Sequence, residues 1–158
     1  MSSKIRTGIG VDAHKYGVTG PCFLAGLEWP DVNGLVAHSD GDAAVHAICD
    51  AVLSACQLGD IGELFGVDRP EWAGVTGVAM LAHVKELVTK KGFVINNVAL
   101  QIIGNEPRIT PRRAEAQEVL SQALGAPVSV AATTSDAMGF TGRGEGVFVI
   151  ANALVQVP

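Results

Sequence analysis

The chain has 158 residues, a length that one compact domain fills and that is enough to bury a substantial core. With 48% hydrophobic and only 17% charged residues, it carries enough apolar area to offset ordering the backbone, which excludes a disordered chain and predicts a single domain over 1–158. The formal net charge of −5, with Lys90-Lys91 as the longest basic cluster, argues against a nucleic-acid partner, because phosphate backbones demand clustered cations.

In chain order, Met1 to Arg6 lacks the long apolar stretch of a signal peptide, and no later apolar run reaches membrane-spanning length, so no membrane partner is expected. Ile5 to Val11 reads as a short strand, with Cys22 to Leu27 as its hairpin neighbour across a loop at Tyr16 to Pro21. From Asp42 onward Val45, Ile48, Cys49, Val52, Leu53 and Cys56 recur at steps of three and four, the apolar stripe of a helix on a core. A second helix is predicted from about Val75 to Lys91, with Val78, Leu81, Val84 and Val88 on one face and Gly92 as its stop. Phe93 to Ile103 reads as a strand, and Thr110-Pro111 supplies an N-cap and first-turn proline for a third helix ending near Gly125. Val128 to Ala132 and Val147 to Val157 read as two further strands around the glycine-rich loop Thr133 to Gly146. Helices interspersed among strands predict an α+β domain with a mixed β-sheet covered by helices.

Three cysteines, Cys22, Cys49 and Cys56, give an odd count with no C-x-x-C spacing. That suggests neither a disulfide framework nor a structural zinc site and fits a reducing, cytoplasmic location.

Chemistry concentrates in a few segments. In Gly8-Ile9-Gly10-Val11-Asp12-Ala13-His14 the acid and the imidazole are two apart, so on a strand both leave the same face. His46 lies one step off the first helix's apolar stripe, in line with Asp42 and Asp50. One carboxylate and two imidazoles make the ligand set of a catalytic zinc with an open fourth position; the plainer alternative is a turn cap and two ordinary histidines. His38-Ser39-Asp40-Gly41-Asp42 either caps the helix or offers helix-start amides to a phosphate. Leu58 to Phe65 reads first as a tight turn, with carboxylates that could meet a hydroxylated ligand. Gly104-Asn105-Glu106-Pro107-Arg108 either brackets a base or simply joins a strand to a helix. The loop from Thr133 is dense in hydroxyls and glycine, and its Asp136 could coordinate magnesium; the alternative is a solvated hairpin loop in which Arg143 and Glu145 pair. His83, Cys49 and Cys56 have no convergent partners in the sequence and read as structural.

Taken together, GIGVDAH at 8–14, AHSDGDAAVHAICDAVLSACQLGDIGELF at 37–65 and TTSDAMGFTGRGEG at 133–146 resemble the 2-C-methyl-D-erythritol 2,4-cyclodiphosphate synthases, the cyclases of the non-mevalonate isoprenoid pathway. The resemblance spans nearly the whole chain. It implies conversion of 4-diphosphocytidyl-2-C-methylerythritol 2-phosphate to the cyclic diphosphate and CMP by attack of the 2-phosphate on the β-phosphorus. It implies zinc on Asp12, His14 and His46, a second divalent ion, Mg2+ or Mn2+, on Asp136, and catalytic roles for Ser39, Thr134 and Asp136. The substrate would meet Asp12, His14, His38 and Ser39 at its phosphorylated end and Asp60, Ile61 and Gly62 at its hydroxyls. Gly104, Asn105, Glu106, Pro107 and Arg108 would enclose cytosine, and Thr133, Thr134, Ser135 and Asp136 would hold the nucleotide phosphates. The family's assembly is a homotrimer with interfacial active sites, which would put Phe140, Arg143 and Glu145 near the three-fold axis, by a cavity that holds an isoprenoid diphosphate in some relatives.

The sequence departs from the family pattern where many relatives have Glu in place of Asp136, Lys in place of Ala137 and Ala131, and a proline and acid in place of Gly66-Val67-Asp68. Two other readings remain open at this level: a zinc hydrolase on the same three ligands, and a trimeric sensor binding an isoprenoid diphosphate around Arg143.

Overall fold

The small and apolar residues that begin at Ile5 continue in one 20-residue strand, β1 (Ile5–Leu24), in a computed structural model that describes residues 4–66 and 68–158. The readings of Met1 to Ser3 and of Val67 therefore lie outside the described residues. The first half of β1 pairs antiparallel with the last strand, β5 (Gly146–Gln156), from Ile5 opposite Gln156 to Lys15 opposite Gly146. Its second half pairs with β2 (Leu27–Leu35), from Tyr16 opposite Leu35 to Leu24 opposite Leu27. The expected pairing of residues 5–11 with 22–27 does not occur. Gly17, Gly20 and Pro21, which read as loop residues, instead fall where the β1–β2 register shifts, a bulged stretch that tolerates glycine and proline inside a strand. The true hairpin turn is Ala25-Gly26, both at positive φ.

Helix α1 (Ala43–Cys56) forms as its periodicity predicts. Asp42 caps it, accepting from the Ala44 and Val45 amides, and also accepts from Ala25 and Gly26, so one buried carboxylate pins the hairpin turn to the helix start. Residues 58–65 are more than a turn: Ile61–Phe65 is a short helix, α2, capped by Asp60. Helix α3 (Gly77–Lys90) buries Met80, Leu81, Val84 and Val88, while Val78 points outward rather than joining that face. Strand β3 (Val94–Ile103) is followed by a 3-10 turn, Thr110–Arg112, and by α4 (Arg113–Leu124). Thr110 thus opens the 3-10 turn instead of capping the helix, because Pro111 sits inside that turn. Strand β4 (Val128–Thr133), the four-residue helix α5 (Gly139–Gly142) and β5 complete the chain.

The sheet order is β2-β1-β5-β3-β4, antiparallel throughout except for β3 and β4, whose parallel pairing is reached by a crossover through α4. It is the mixed sheet of an α+β domain. Val147, Val149, Ala151, Ala153 and Val155 of β5 face the helices and are fully buried. The opposite face stays open, leaving Ile5 60% and Ile9 64% exposed, with Val11 and Ile150 beside them.

Candidate metal centre

Gly8, Gly10, Asp12 and His14 occupy alternate positions of β1 and so share the face that α1 covers. A Cβ on Gly10 would collide with the Ala47 carbonyl oxygen, and one on Gly8 with that of Ala51. Glycine on the strand and alanine on the helix therefore let the two backbones touch. Past that contact β1 runs beyond the first turn of α1, and Asp12 and His14 emerge beside His46, the helix's fourth residue.

Three donor atoms converge there. Asp12 Oδ2 lies 2.8 Å from His14 Nε2 and 2.9 Å from His46 Nδ1, and the two ring nitrogens are 3.2 Å apart. Bonds of about 2.0 Å to a tetrahedral zinc put its ligands about 3.3 Å apart, close to this spacing. The tautomers suit the purpose. His14 Nδ1 is 2.8 Å from the Val36 carbonyl oxygen, which only accepts, so Nδ1 keeps its proton and Nε2 faces Asp12: protonated it donates to that carboxylate, and unprotonated it offers its lone pair to a cation. His46 Nε2 is 2.9 Å from Ser39 Oγ, which holds that ring with Nδ1 inward. Three acceptor atoms this close repel one another unless a proton or a cation lies among them.

The electrostatics agree. Burial opposes ionisation of Asp12, but hydrogen bonds from His14 and His46 outweigh it and hold its carboxyl well below the usual carboxylate range. The bond to Asp12 raises His14 above the ordinary histidine value against the effect of burial. One turn along α1, burial raises the Asp50 carboxyl, opposed by the Ile61 N–H that it accepts at 2.8 Å. That bond fastens α2 to α1.

The three donors open on a cavity of about 710 Å³. His38, Ser39, Ile61 and Gly62 line it with them. Asp60 does not, its carboxylate being occupied in capping α2 by the Glu63 amide at 2.9 Å. Nor is the start of α1 an open anion site: the amides of Gly41, Asp42, Ala44 and Val45 already donate to Ser39, Asp40 and Asp42 side chains.

Residues 104–108 and 133–136, with Phe140 and Arg143, do not line this cavity. They form a second cluster of their own. Gly104 N–H donates to Thr133 O at 3.0 Å, Asn105 Nδ2 to Gly142 O at 3.0 Å, and the hydroxyls of Ser135 and Thr141 meet at 2.7 Å. Tyr16 donates to the Glu106 carbonyl oxygen. Thr134 and Asp136 are linked by the Asp136 N–H to Thr134 Oγ1 contact, and Asp136 stands exposed at φ 50. Phe140 meets Phe148 edge-on, Pro107 and Arg108 continue the segment toward α4, and Arg143 pairs with Glu145 at 2.7 Å.

Sequence reasoning missed part of the cavity's lining. Phe65, Arg69, Trp72 and Met80 line the cavity, and Arg69 is its single Arg or Lys among the described residues. Arg69 and Trp72 lie between Gly66-Val67-Asp68, singled out only as a departure from the family pattern, and the helix predicted from about Val75, and drew no reading of their own; a cation and a tryptophan within four residues were the signal available.

A family model described as the YgbB family matches residues 5–156. The chain is 60% identical over 153 residues to the 2-C-methyl-D-erythritol 2,4-cyclodiphosphate synthase of Cutibacterium acnes, covering 96% of this chain and 91% of that relative. Among solved structures it is similar to the bifunctional IspDF of Campylobacter jejuni, with TM-score 0.93 and 32% identity over 99% of this chain and 43% of that one. A 2C-methyl-D-erythritol-2,4-cyclodiphosphate synthase in a CDP-bound form matches with TM-score 0.86 and 34% identity, covering 95% of this chain and 99% of that one.

Proposed function

We infer, because this chain belongs to the YgbB family and its relatives there are 2-C-methyl-D-erythritol 2,4-cyclodiphosphate synthases, that it forms the 2,4-cyclodiphosphate of the isoprenoid pathway from 4-diphosphocytidyl-2-C-methyl-D-erythritol 2-phosphate and releases CMP. The observation that carries the reading to this chain's own residues is the triad of Asp12, His14 and His46 opening on a cavity of about 710 Å³. We take the domain as the whole of 1–158, and the three buried thiols suit a reducing cytoplasm.

Asp12 Oδ2, His14 Nε2 and His46 Nδ1 would hold a divalent ion, zinc by their chemistry, which when bound supplies positive charge to a phosphate oxygen at its open position. Val36 O and Ser39 keep both rings aimed at it. His38 and Ser39 meet the substrate's 2-phosphate, Ile61 and Gly62 its carbon chain, and Arg69 a phosphate, since guanidinium forks match phosphate oxygens. In the reaction a 2-phosphate oxygen bonds to the β-phosphorus while the bond from that phosphorus to the CMP oxygen breaks. No water is consumed and no protein nucleophile is needed, so the residues' task is to hold the two phosphates in line.

The remaining parts belong to a homotrimer. Its support is twofold: an open apolar sheet face around Ile5, Ile9, Val11 and Ile150, and a second cluster that stays outside its own chain's cavity. In the trimer Gly104 to Arg108 would enclose cytosine, Thr133 to Ser135 would hold the nucleotide phosphates, and Asp136 would hold a second ion, Mg2+ or Mn2+. Phe140 and Arg143 stand by the three-fold axis, where an isoprenoid diphosphate is the expected ligand.

Phosphorus NMR of substrate with protein, zinc and magnesium tests the reading. Equimolar cyclic diphosphate and CMP are expected, with the rate reduced by more than about 100-fold and zinc lost in His46→Ala. Open-chain phosphates would mean hydrolysis instead, and unchanged substrate beside a folded, zinc-loaded protein would mean a binding protein.

A further inference from the structure

Phe65, Arg69 and Trp72 line the same cavity as the metal triad, and the segment that carries the last two is held by few bonds. From Gly66 to Val75 the turn and loop backbone hydrogen bonds among described residues are local: Arg69 N–H to Gly66 O, Trp72 to Arg69, Ala73 to Pro70 and Val75 to Trp72, at 2.9 to 3.2 Å, and Thr76 O then accepts from Met80 of α3 at 3.0 Å. They shape a 3-10 turn, Pro70–Trp72, that has no side-chain cap, but they do not tie it to the rest of the molecule. Its far end is fixed where Gly77 N–H donates to Asp40 at 2.6 Å. Trp72 itself stands outside the apolar core cluster. What it touches is aromatic: its ring meets Phe65 at 4.8 Å and 81° and His83 at 4.7 Å and 60°, and His83 closes the triangle with Phe65 at 5.5 Å and 66°. These are edge-to-face arrangements, which aromatic quadrupoles favour.

Phe65 and Trp72 line the cavity, and His83 does not. His83 is half-buried on α3 between Leu81 and Val84, both fully buried, so its ring is carried by a helix fixed in the core. We propose that His83 is a positioning residue for substrate: it clamps Trp72 and Phe65 edge-on from α3 and thereby fixes the part of the wall that these two rings give to the cavity shared with the metal triad. Arg69 moves with the same unit, because Trp72 donates to its carbonyl oxygen at 3.0 Å. The proposal rests on the family reaction for its substrate, but the clamp itself is independent of it.

Two measurements separate these. Fluorine NMR of protein labelled with 5-fluorotryptophan gives one resonance for Trp72 and one for Trp29, assigned with Trp72→Phe, and needs no substrate. In His83→Ala the Trp72 resonance is expected to move toward its solvent-exposed position while Trp29 stays in place. Steady-state kinetics of the zinc-loaded enzyme should then show KM raised roughly tenfold, with a smaller fall in kcat because Arg69 shifts with Trp72, and zinc content unchanged because Asp12, His14 and His46 stay in place. His83→Phe, which keeps a ring edge, should restore both the resonance and KM. An unmoved Trp72 resonance, a KM within about twofold of the original protein in His83→Ala, or a Phe variant as impaired as the Ala variant would overturn the clamp. Absence of turnover in the unsubstituted protein would overturn the family reaction and leave the fluorine result to decide the clamp.

Discussion

The metal corner and the C-terminal loop carry the two candidate ion sites, and they are built in opposite ways. At the corner, strand and helix touch through Gly8, Gly10, Ala47 and Ala51, and each histidine is held by a bond on its outer nitrogen, to Val36 or Ser39. Asp12, His14 and His46 meet within one chain. The loop from Thr133 is bonded mainly to itself and to residues 104–105, and presents Asp136 outward at positive φ. The contrast teaches that preorganisation has been concentrated where three ligands must meet. The acid of the loop, by contrast, is exposed and lies outside the lining of this chain's cavity.

The sharpest way to break that comparison is to mix two inactive variants. His46→Ala removes a ligand of the corner and Asp136→Ala the acid of the loop. If each working site takes its corner from one chain and its loop from the next, each variant alone is dead. Subunits exchanged at equal ratio should recover roughly a quarter of the sites in a symmetric ring. Recovery is read as CMP release after refolding the mixture. No recovery in trimers of mixed composition would place both parts of the site on one chain.

A smaller effect tests the corner's construction. Gly10→Ala adds one carbon where the Ala47 carbonyl oxygen already lies, so α1 must move away from β1. Overpacking of this kind costs about 1–3 kcal/mol or more. The same displacement carries His46 away from Asp12. Thermal melts should show lowered stability, and zinc titration a weakened site, whereas Gly139→Ala in the loop, with nothing within 4 Å of an added Cβ, should leave zinc affinity unchanged despite its positive φ. Equal zinc affinity in Gly10→Ala would show that the helix contact does not set the ligand geometry.

How far these two regions could be read from sequence follows from what positions them. Asp12, His14 and His46 were legible because a period of two and a period of 3.6 each fix which side of an element a residue leaves, and α1 was capped where Asp42 predicted. The phosphate reading of the helix start was not sustained, because Ser39, Asp40 and Asp42 consume those amides themselves, a competition that composition does not reveal. The first hairpin was misplaced since glycine and proline mark a bulge as readily as a turn. His83 had no visible partner for a different reason: its contacts, Phe65 and Trp72, depend on how α2, the 3-10 turn and α3 pack together, which no local pattern encodes.

The smallest effect expected is at the corner, in its response to pH, and here the sign separates a metal site from an ion pair. In metal-free protein the Asp12 bond raises His14, so the pair's contribution to stability is present below the unfolded histidine value of about 6.5 and is lost as pH rises through the higher folded value. Asp12 is lowered, so at the acid end the contribution is present above about 3.9 and is lost as pH falls through the folded value. With zinc the dependence reverses at neutral pH, because the metal requires His14 unprotonated and binds better as protons leave. The measurement is the difference in Tm between the protein and its His14→Ala variant from pH 6 to pH 8, with a chelator and with zinc, an effect of a few degrees on the order expected for a domain this size. With chelator the advantage of His14 should shrink as pH rises; with zinc it should grow. Parallel curves would mean that His14 pairs with Asp12 and does nothing more, and the corner would lose its claim to be a metal site.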